Sequence, residues 1–152
     1  MNLATVAFAC PFLCLGPLEA QERPVVPIAV ETVVSGGYWT APDNIEGQYR
    51  VIVKTEGFEH LVSSAWLEWI AAPTKDSDAT VVATSELVMV EAGSVRLSEP
   101  VFSIAGKQWI LTITATQTHC DPMPIERRRL ALGPPGRIAV LPPVVLKKGC
   151  AP

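Results

Sequence analysis

Polar and apolar residues alternate with a period of two along several segments of this chain. The clearest segment runs from Gln108 to Thr118, and the alternation recurs between Tyr49 and Lys54. In the first segment, apolar residues face one way and threonines face the other: Trp109, Leu111, Ile113 and Ala115 against Thr112, Thr114, Thr116 and Thr118. This period is typical of strands that place one face in a core and the other in water.

Further segments are rich in β-branched residues and end at turn signals: residues 28–34, 79–90, 95–104, 125–132 and 137–141. We expect Gly36-Gly37 to stop the first of them and Pro142-Pro143 to stop the last. Pro100 cannot donate to a ladder, so it should mark an edge or a break in its strand. The last two segments should pair as a hairpin around the Gly-Pro-Pro-Gly turn at 133–136.

The stretch from Gly57 to Ile70 fits both a helix and a strand. Its apolar residues recur at the i, i+3, i+4, i+7 spacing of a buried helical stripe. As a strand, it places Trp66 and Trp69 on opposite faces, so if one lies in a core the other must be covered or exposed. Because the stretch directly follows a strand and is bounded by tight turns, we predict a long strand, with a bend that would let it serve both sheets.

Together these segments predict an all-β fold, an antiparallel β-sandwich of seven or eight strands. The alternative is an α+β domain in which one helix over residues 58–71 packs on an antiparallel sheet. The chain has 152 residues and 49% hydrophobic content, which is enough to bury one sizeable core. We therefore expect a single domain over residues 21–152.

The first twenty residues resemble a cleavable signal peptide. Leu3 to Leu18 is nearly all apolar, and Ala20 supplies the small residue that precedes a cut, so the mature chain would begin at Gln21. No Lys or Arg precedes the apolar part, and Pro11 and Pro17 interrupt it. These features are atypical of a signal peptide. The prolines and the short apolar run are even less compatible with a permanent membrane anchor, because a spanning helix needs about 20 apolar residues. We expect export to the periplasm or the extracellular space, with a buried N-terminal helix or a retained anchor as the alternatives.

Removal of the leader leaves two cysteines, Cys120 and Cys150. An even pair in an exported chain predicts one disulfide. The bond would close a loop of about thirty residues and stabilise the fold by roughly 3 to 4 kcal/mol through chain entropy. Metal ligation is the competing interpretation, in which Cys120 would need help from His119 or Asp121.

The net charge of the chain does not indicate a particular class of binding partner. Loss of Glu19 with the leader reduces the 15 acidic residues to 14, against 12 basic residues. This near-balance predicts neither nucleic acid nor an anionic membrane as a partner. Arg127-Arg128-Arg129 is a basic run, but strand alternation would turn Arg128 away from its neighbours, which argues against a local anion site.

Candidate chemistry is sparse. His60 and His119 are the two histidines that could act as a base or a metal ligand near neutral pH. The serines lack a Gly-x-Ser-x-Gly context, and neither a phosphate loop nor a His-Glu-x-x-His motif is present. The sequence therefore favours a non-enzyme and predicts no cofactor and no metal, with His119 and Asp121 as the weak candidates for a metal site.

The sequence thus predicts an exported domain with a non-catalytic binding or structural role. Exposed aromatic rings in such modules often bind sugars or peptides, so the candidate binding surface consists of His60, Trp66 and Trp69. Its partner would be a protein, a peptide or a carbohydrate. The alternative from another class is a small periplasmic metal-binding or hydrolytic protein that uses His60 or His119.

Overall fold

Antiparallel strands make up the regular structure of the residues that the computed structural model describes, which are 30–57, 62–87, 95–119 and 121–149. The strands are β1 (Val30–Thr40), β2 (Glu46–Glu56), β3 (Val62–Ala71), β4 (Thr80–Leu87), β5 (Val95–Ala105), β6 (Gln108–Gln117), β7 (Ile125–Leu132) and β8 (Ile138–Lys147). Each pairs with its neighbour in the chain, in the order β1-β2-β3-β4 in the first sheet and β5-β6-β7-β8 in the second. Within the described residues, no helix is long and apolar enough to cross a membrane.

Alternate residues of both sheets meet in one hydrophobic core, as the period of two predicts. The first sheet contributes Tyr49, Val51, Val53, Ala65, Leu67 and Trp69, and the second contributes Val95, Leu97, Leu111, Ile113, Ala115, Leu130 and Leu132. Full burial of one such aliphatic side chain stabilises the fold by about 1.5 to 3 kcal/mol. The two sheets therefore pack face to face, and the predicted all-β sandwich is confirmed.

Residues 62–71 settle the choice between helix and strand in favour of a strand. β3 pairs with β2 and β4 over its length, with Val51 opposite Leu67 and Glu68 opposite Thr84. The alternative helix over 58–71 is therefore absent from residues 62–71, while residues 58–61 lie outside the described residues. β3 belongs to the first sheet alone, so it does not bend to serve both sheets.

Two expected strand ends were wrong, and in both cases a bulge carries the strand past the residues that were expected to stop it. β1 continues through Gly36 and Gly37, where its register against β2 shifts between Gly36 and Tyr38. β8 continues through Pro142 and Pro143, because two of its residues oppose Arg128 alone between successive pairs. β1 and β8 are edge strands, in which an irregular ladder is tolerated on the unpaired side.

The break expected at Pro100 is confirmed. The register of β5 against β6 shifts between Ser98 and Val101, and Glu99 has a positive φ of 56°. β5 is also an edge strand, where a missing N–H donor is least costly. The predicted hairpin around residues 133–136 is likewise confirmed, since β7 and β8 pair as antiparallel strands. Across the turn, the Gly133 N–H donates to the Arg137 carbonyl and the Arg137 N–H donates to the Pro134 carbonyl, both at 2.9 Å.

Candidate functional site

The structure separates two members of the predicted binding surface, Trp66 and Trp69. Trp69 has no exposed area and lies in the core, where its Nε1 donates to the Gly133 carbonyl at 2.9 Å. Trp66 lies on the opposite, outer face of the first sheet and is half-buried. His60 lies outside the described residues. Trp69 is therefore unavailable to a ligand, and Trp66 is the described member of this surface that keeps some exposure.

Trp66 belongs to an apolar row that crosses the outer face of the first sheet. Val33, Ile52 and Trp66 are successive cross-strand partners in β1, β2 and β3. In the next row, Arg50 donates through Nε to Glu68 at 2.6 Å. Contacts between cross-strand neighbours stabilise a sheet by a few tenths to about 1 kcal/mol per pair. Packing against such neighbours accounts for the partial burial of Trp66.

The described candidates for metal ligation, His119 and Asp121, lie just after the end of β6. His119 and Asp121 are exposed and flank Cys120, while Cys120 and Cys150 lie outside the described residues. Among the described residues, no three or more His, Cys, Asp or Glu side chains are grouped so that they could hold a metal ion.

A different set of aromatic residues comes together at the end of the sandwich where β1 finishes. Gly37 has a φ of +66°, and a Cβ at this position would lie only 2.9 Å from the Tyr49 ring. Glycine therefore lets β1 pass close to the rings beneath it and re-sets its register. Beyond this bulge Trp39 turns inward, with 4% exposure, while Tyr38 stays 72% exposed.

One cleft, which we call the first-sheet cleft, opens beside Trp39. It has a volume of about 460 Å³ and is lined mainly by apolar groups, including Trp39, Ile70 and Pro73, with Gln48 and Glu46 among its polar residues. The Trp39 ring lies over Gly47, where an added Cβ would come within 2.5 Å of the ring. Trp39 Nε1 donates to the Gln48 carbonyl at 3.1 Å, which fixes the orientation of the ring.

A second cleft, which we call the intersheet cleft, opens between the two sheets at the same end. Its volume is about 520 Å³, and Tyr38, Tyr49, Trp109 and Gly133 are among the residues that line it. The Tyr49 hydroxyl donates to the Gly133 carbonyl at 3.1 Å, and the same carbonyl accepts from Trp69. These bonds anchor the β7–β8 turn to the first sheet, so the cleft has a rigid floor.

Tyr38 lines both clefts. Its ring meets the Trp109 ring edge to face, with 6.2 Å between the ring centroids. Aromatic pairs of this geometry are favourable and hold both rings in place. The arrangement offers an exposed ring between two concave, largely preformed surfaces, which suits binding of a ligand that has flat apolar faces.

Tyr49 is poorly suited to proton transfer at neutral pH. Burial raises the pKa of its hydroxyl to about 12. The hydroxyl therefore stays protonated and serves as the donor to Gly133. Its contribution to the intersheet cleft is structural.

Tyr38 and Trp39 are adjacent aromatic residues in the sequence, and the sequence pattern gives no reason to include them in a binding surface. The sequence feature that could have revealed this site is the preceding Gly36-Gly37 pair. Two glycines permit a bulge, and the bulge leaves Tyr38 exposed while Trp39 turns inward. The same pair also predicts a strand end, which is wrong here because β1 continues to Thr40.

Comparison of the chain with protein-family models, with curated proteins and with solved structures found no match. Its function is therefore inferred from the two clefts around Tyr38 and from the charged groups on the sheets.

Proposed function

We propose that this protein is an exported, non-catalytic binding module that holds a neutral sugar chain at Tyr38. The observation that carries the proposal is the 72% exposed Tyr38 ring standing between two clefts. A large ring that stays in solvent while its neighbour Trp39 is buried contributes little to the core and is free to contact a ligand.

The lining of the clefts suits sugars because it combines apolar faces with hydrogen-bonding groups. Tyr38 and the half-buried Trp109 provide flat apolar surfaces, while Gln48, Gln108 and Thr40 place polar residues around them. A sugar ring has an apolar C–H face and a hydroxyl rim, so it needs both kinds of group. Sites for small ligands commonly pair a mostly apolar wall with a few polar groups in this way.

Titration with neutral hexasaccharides, such as cellohexaose and maltohexaose, tests the proposal by the fluorescence of the tryptophans that line the clefts. Binding should change the emission of the wild-type protein. Tyr38→Ala should weaken this binding at least about tenfold, since stacking on an exposed ring is worth about 1.4 kcal/mol or more. Tyr38→Phe keeps the ring and should bind within about threefold of wild type.

Either of two results would overturn this assignment. One is the absence of binding to any member of a panel of neutral hexasaccharides by the folded wild-type protein. The other is equal affinity in wild type and Tyr38→Ala. Because Tyr38 is exposed, neither variant should lose its fold, and near-ultraviolet circular dichroism checks that they have not.

Export and a Cys120–Cys150 disulfide are part of the same proposal. The leader pattern of residues 1–20 supports export, and the neighbours of the cysteines support the bond. A Cβ at Gly149 would lie 2.7 Å from the Pro122 carbonyl and would also clash with Pro124, so the chain next to Cys150 runs beside the chain next to Cys120.

Intact-mass measurement of the protein from an exporting host tests both points. We expect an N-terminus at Gln21 and a mass two hydrogens below that of the reduced chain. Free thiols in oxidised protein would refute the bond, and a retained leader would refute the cleavage.

A metal-binding or hydrolytic role through His60 or His119 is the competing function. Elemental analysis of the purified protein separates it from binding at Tyr38. Stoichiometric zinc or copper that disappears in His119→Ala would favour this function and contradict a non-catalytic module.

A further inference from the structure

Charge divides between the two sheets although the chain as a whole is nearly balanced. In residues 30–57 and 62–87, eight acidic residues outnumber three basic ones: Glu31, Asp43, Glu46, Glu56, Glu68, Asp76, Asp78 and Glu86 against Arg50, Lys54 and Lys75. In residues 95–119 and 121–149, eight basic residues outnumber three acidic ones: Arg96, Lys107, Arg127, Arg128, Arg129, Arg137, Lys147 and Lys148 against Glu99, Asp121 and Glu126. The second sheet therefore carries a positive field that the average composition conceals.

Register concentrates part of this charge on one face. Arg127 pairs with Thr114 and Arg129 with Thr112, on the side of β7 opposite to the core residue Leu130. Arg128 points inward, as alternation predicts, and donates to Glu126 at 2.8 Å. Arg127 and Arg129 are thus neighbours on the outer face, two residues apart along the strand.

A third arginine joins them from the edge strand. Arg96 pairs with Thr116, which brings it to the same outer face two strands away from β7. We call this face the basic face and define it by Arg96, Arg127, Arg129 and the threonines between them: Thr112, Thr114 and Thr116. It combines guanidinium groups with hydroxyl groups on three adjacent strands.

The two outward-facing arginines of β7, Arg127 and Arg129, are not neutralised by the described part of the chain. None of its carboxylates lies within ion-pair distance of Arg127 or Arg129, and Arg96 approaches Glu31 only to 4.0 Å. Glu99 is an acidic residue at this face, where its Oε2 accepts a hydrogen bond from the Thr114 hydroxyl at 3.5 Å. The face therefore keeps a net positive charge.

We propose that the basic face binds an anionic polysaccharide, one that carries sulfate or carboxylate groups. Guanidinium groups pair with such groups through two parallel hydrogen bonds, and threonine hydroxyls can bond to the sugar hydroxyls between them. This inference rests on charge and register and is independent of binding at Tyr38, although it shares the proposal of export.

The make-up of the face favours a polysaccharide over the other polyanions. Among the described residues of β5 to β8, no aromatic side chain points outward, so the face offers no ring on which an unpaired base could stack.

Salt-dependent binding to dextran sulfate, with uncharged dextran as the reference, tests the proposal. The wild-type protein should bind dextran sulfate and ignore dextran, and its affinity should fall with salt, because bound counterions are released from the polyanion. The double variant Arg127→Gln/Arg129→Gln should bind at least about tenfold more weakly, with a shallower salt slope by about two.

A matched double variant separates local contacts from net charge. Lys75→Gln/Arg137→Gln removes the same two charges from exposed positions outside the basic face, and it should bind within about twofold of wild type. Thermal melts of both double variants should match wild type, because all four side chains lie at least partly in solvent.

Three outcomes would overturn the proposal. The first is equal retention of the wild-type protein on dextran sulfate and dextran, and the second is an equal loss of affinity in the two double variants. The third is tighter binding to duplex DNA or to phosphatidylglycerol vesicles than to dextran sulfate, which would assign the face to another class of partner. Tyr38→Ala should keep full affinity for dextran sulfate, so failure of the two proposals can be told apart.

Discussion

The two sheets are alike inside the sandwich and different outside it. Each has four strands in chain order, and each sends alternate residues into the shared core. Outside, the first sheet carries an excess of acidic residues and pairs Arg50 with Glu68, while the second presents Arg127 and Arg129 without described acidic partners. The inward pattern therefore determines the fold, and the outward pattern determines what the two sheets can bind.

The same contrast exists within one strand. Trp69 and Trp66 are three residues apart in β3, yet Trp69 is fully buried and bonded to Gly133 while Trp66 shares an outer row with Ile52. Residue type alone does not distinguish them. Their positions relative to the period of two do.

The largest expected effect on stability comes from removing a core side chain on the inner face of the first sheet. Trp69→Ala should lower the free energy of unfolding by about 3 to 5 kcal/mol, because it leaves a cavity and removes the bond to Gly133. Trp66→Ala, the matched control on the outer face, should lower it by about 1 kcal/mol. Urea denaturation measures both, and equal losses would contradict the assignment of the two faces.

An intermediate effect is expected from the ionisation of Tyr49. Its pKa is raised by burial from 10.0 to about 12, so the unfolded chain releases the proton first. The stability that depends on the protonated hydroxyl is complete below about pH 10 and is lost as the pH rises towards 12.

Tyr49→Phe isolates this effect from other groups that titrate at high pH. The variant should lose about 1 kcal/mol at neutral pH with its bond to Gly133, and it should then show a smaller decline than wild type between pH 10 and 12. Parallel stability curves for the two proteins over that range would show that Tyr49 ionises equally in the folded and unfolded states.

The smallest effect concerns the charged pair on the outer face of the first sheet. A double-mutant cycle with Arg50→Ala and Glu68→Ala should give a coupling of about 0.5 to 1 kcal/mol, since both side chains are partly buried and 2.6 Å apart. A cycle between Arg127 and Glu68, which lie in different sheets, serves as the reference and should give no coupling.

Sequence patterns predicted the inward half of this molecule better than the outward half. The alternation in β2 and β6 identified core residues such as Val51 and Ile113 directly, because burial imposes the period. The course of β1 past Gly36-Gly37 and of β8 past Pro142-Pro143 was missed. At an edge strand a bulge can absorb residues that would stop a central strand.

The candidate sites could not be predicted for a related reason. The position of Tyr38 depends on a bulge in β1 and on contact with Trp109, which is seventy-one residues later in the sequence. Such a long-range contact is not visible in a local sequence pattern. The basic face depends on cross-strand register, which joins Arg96 to Arg127 through β6. A charge count over the whole chain averages the two sheets and removes this difference.

The most direct test of the central claim, that the two regions bind different ligands, is a map of amide chemical shifts in the isotope-labelled protein. A sulfated hexasaccharide should shift Arg96, Thr114, Arg127 and Arg129, and cellohexaose or maltohexaose should shift Tyr38 and its neighbours without overlap. Shifts from the sulfated sugar that cluster at Tyr38, or that spread evenly over both sheets, would contradict the account.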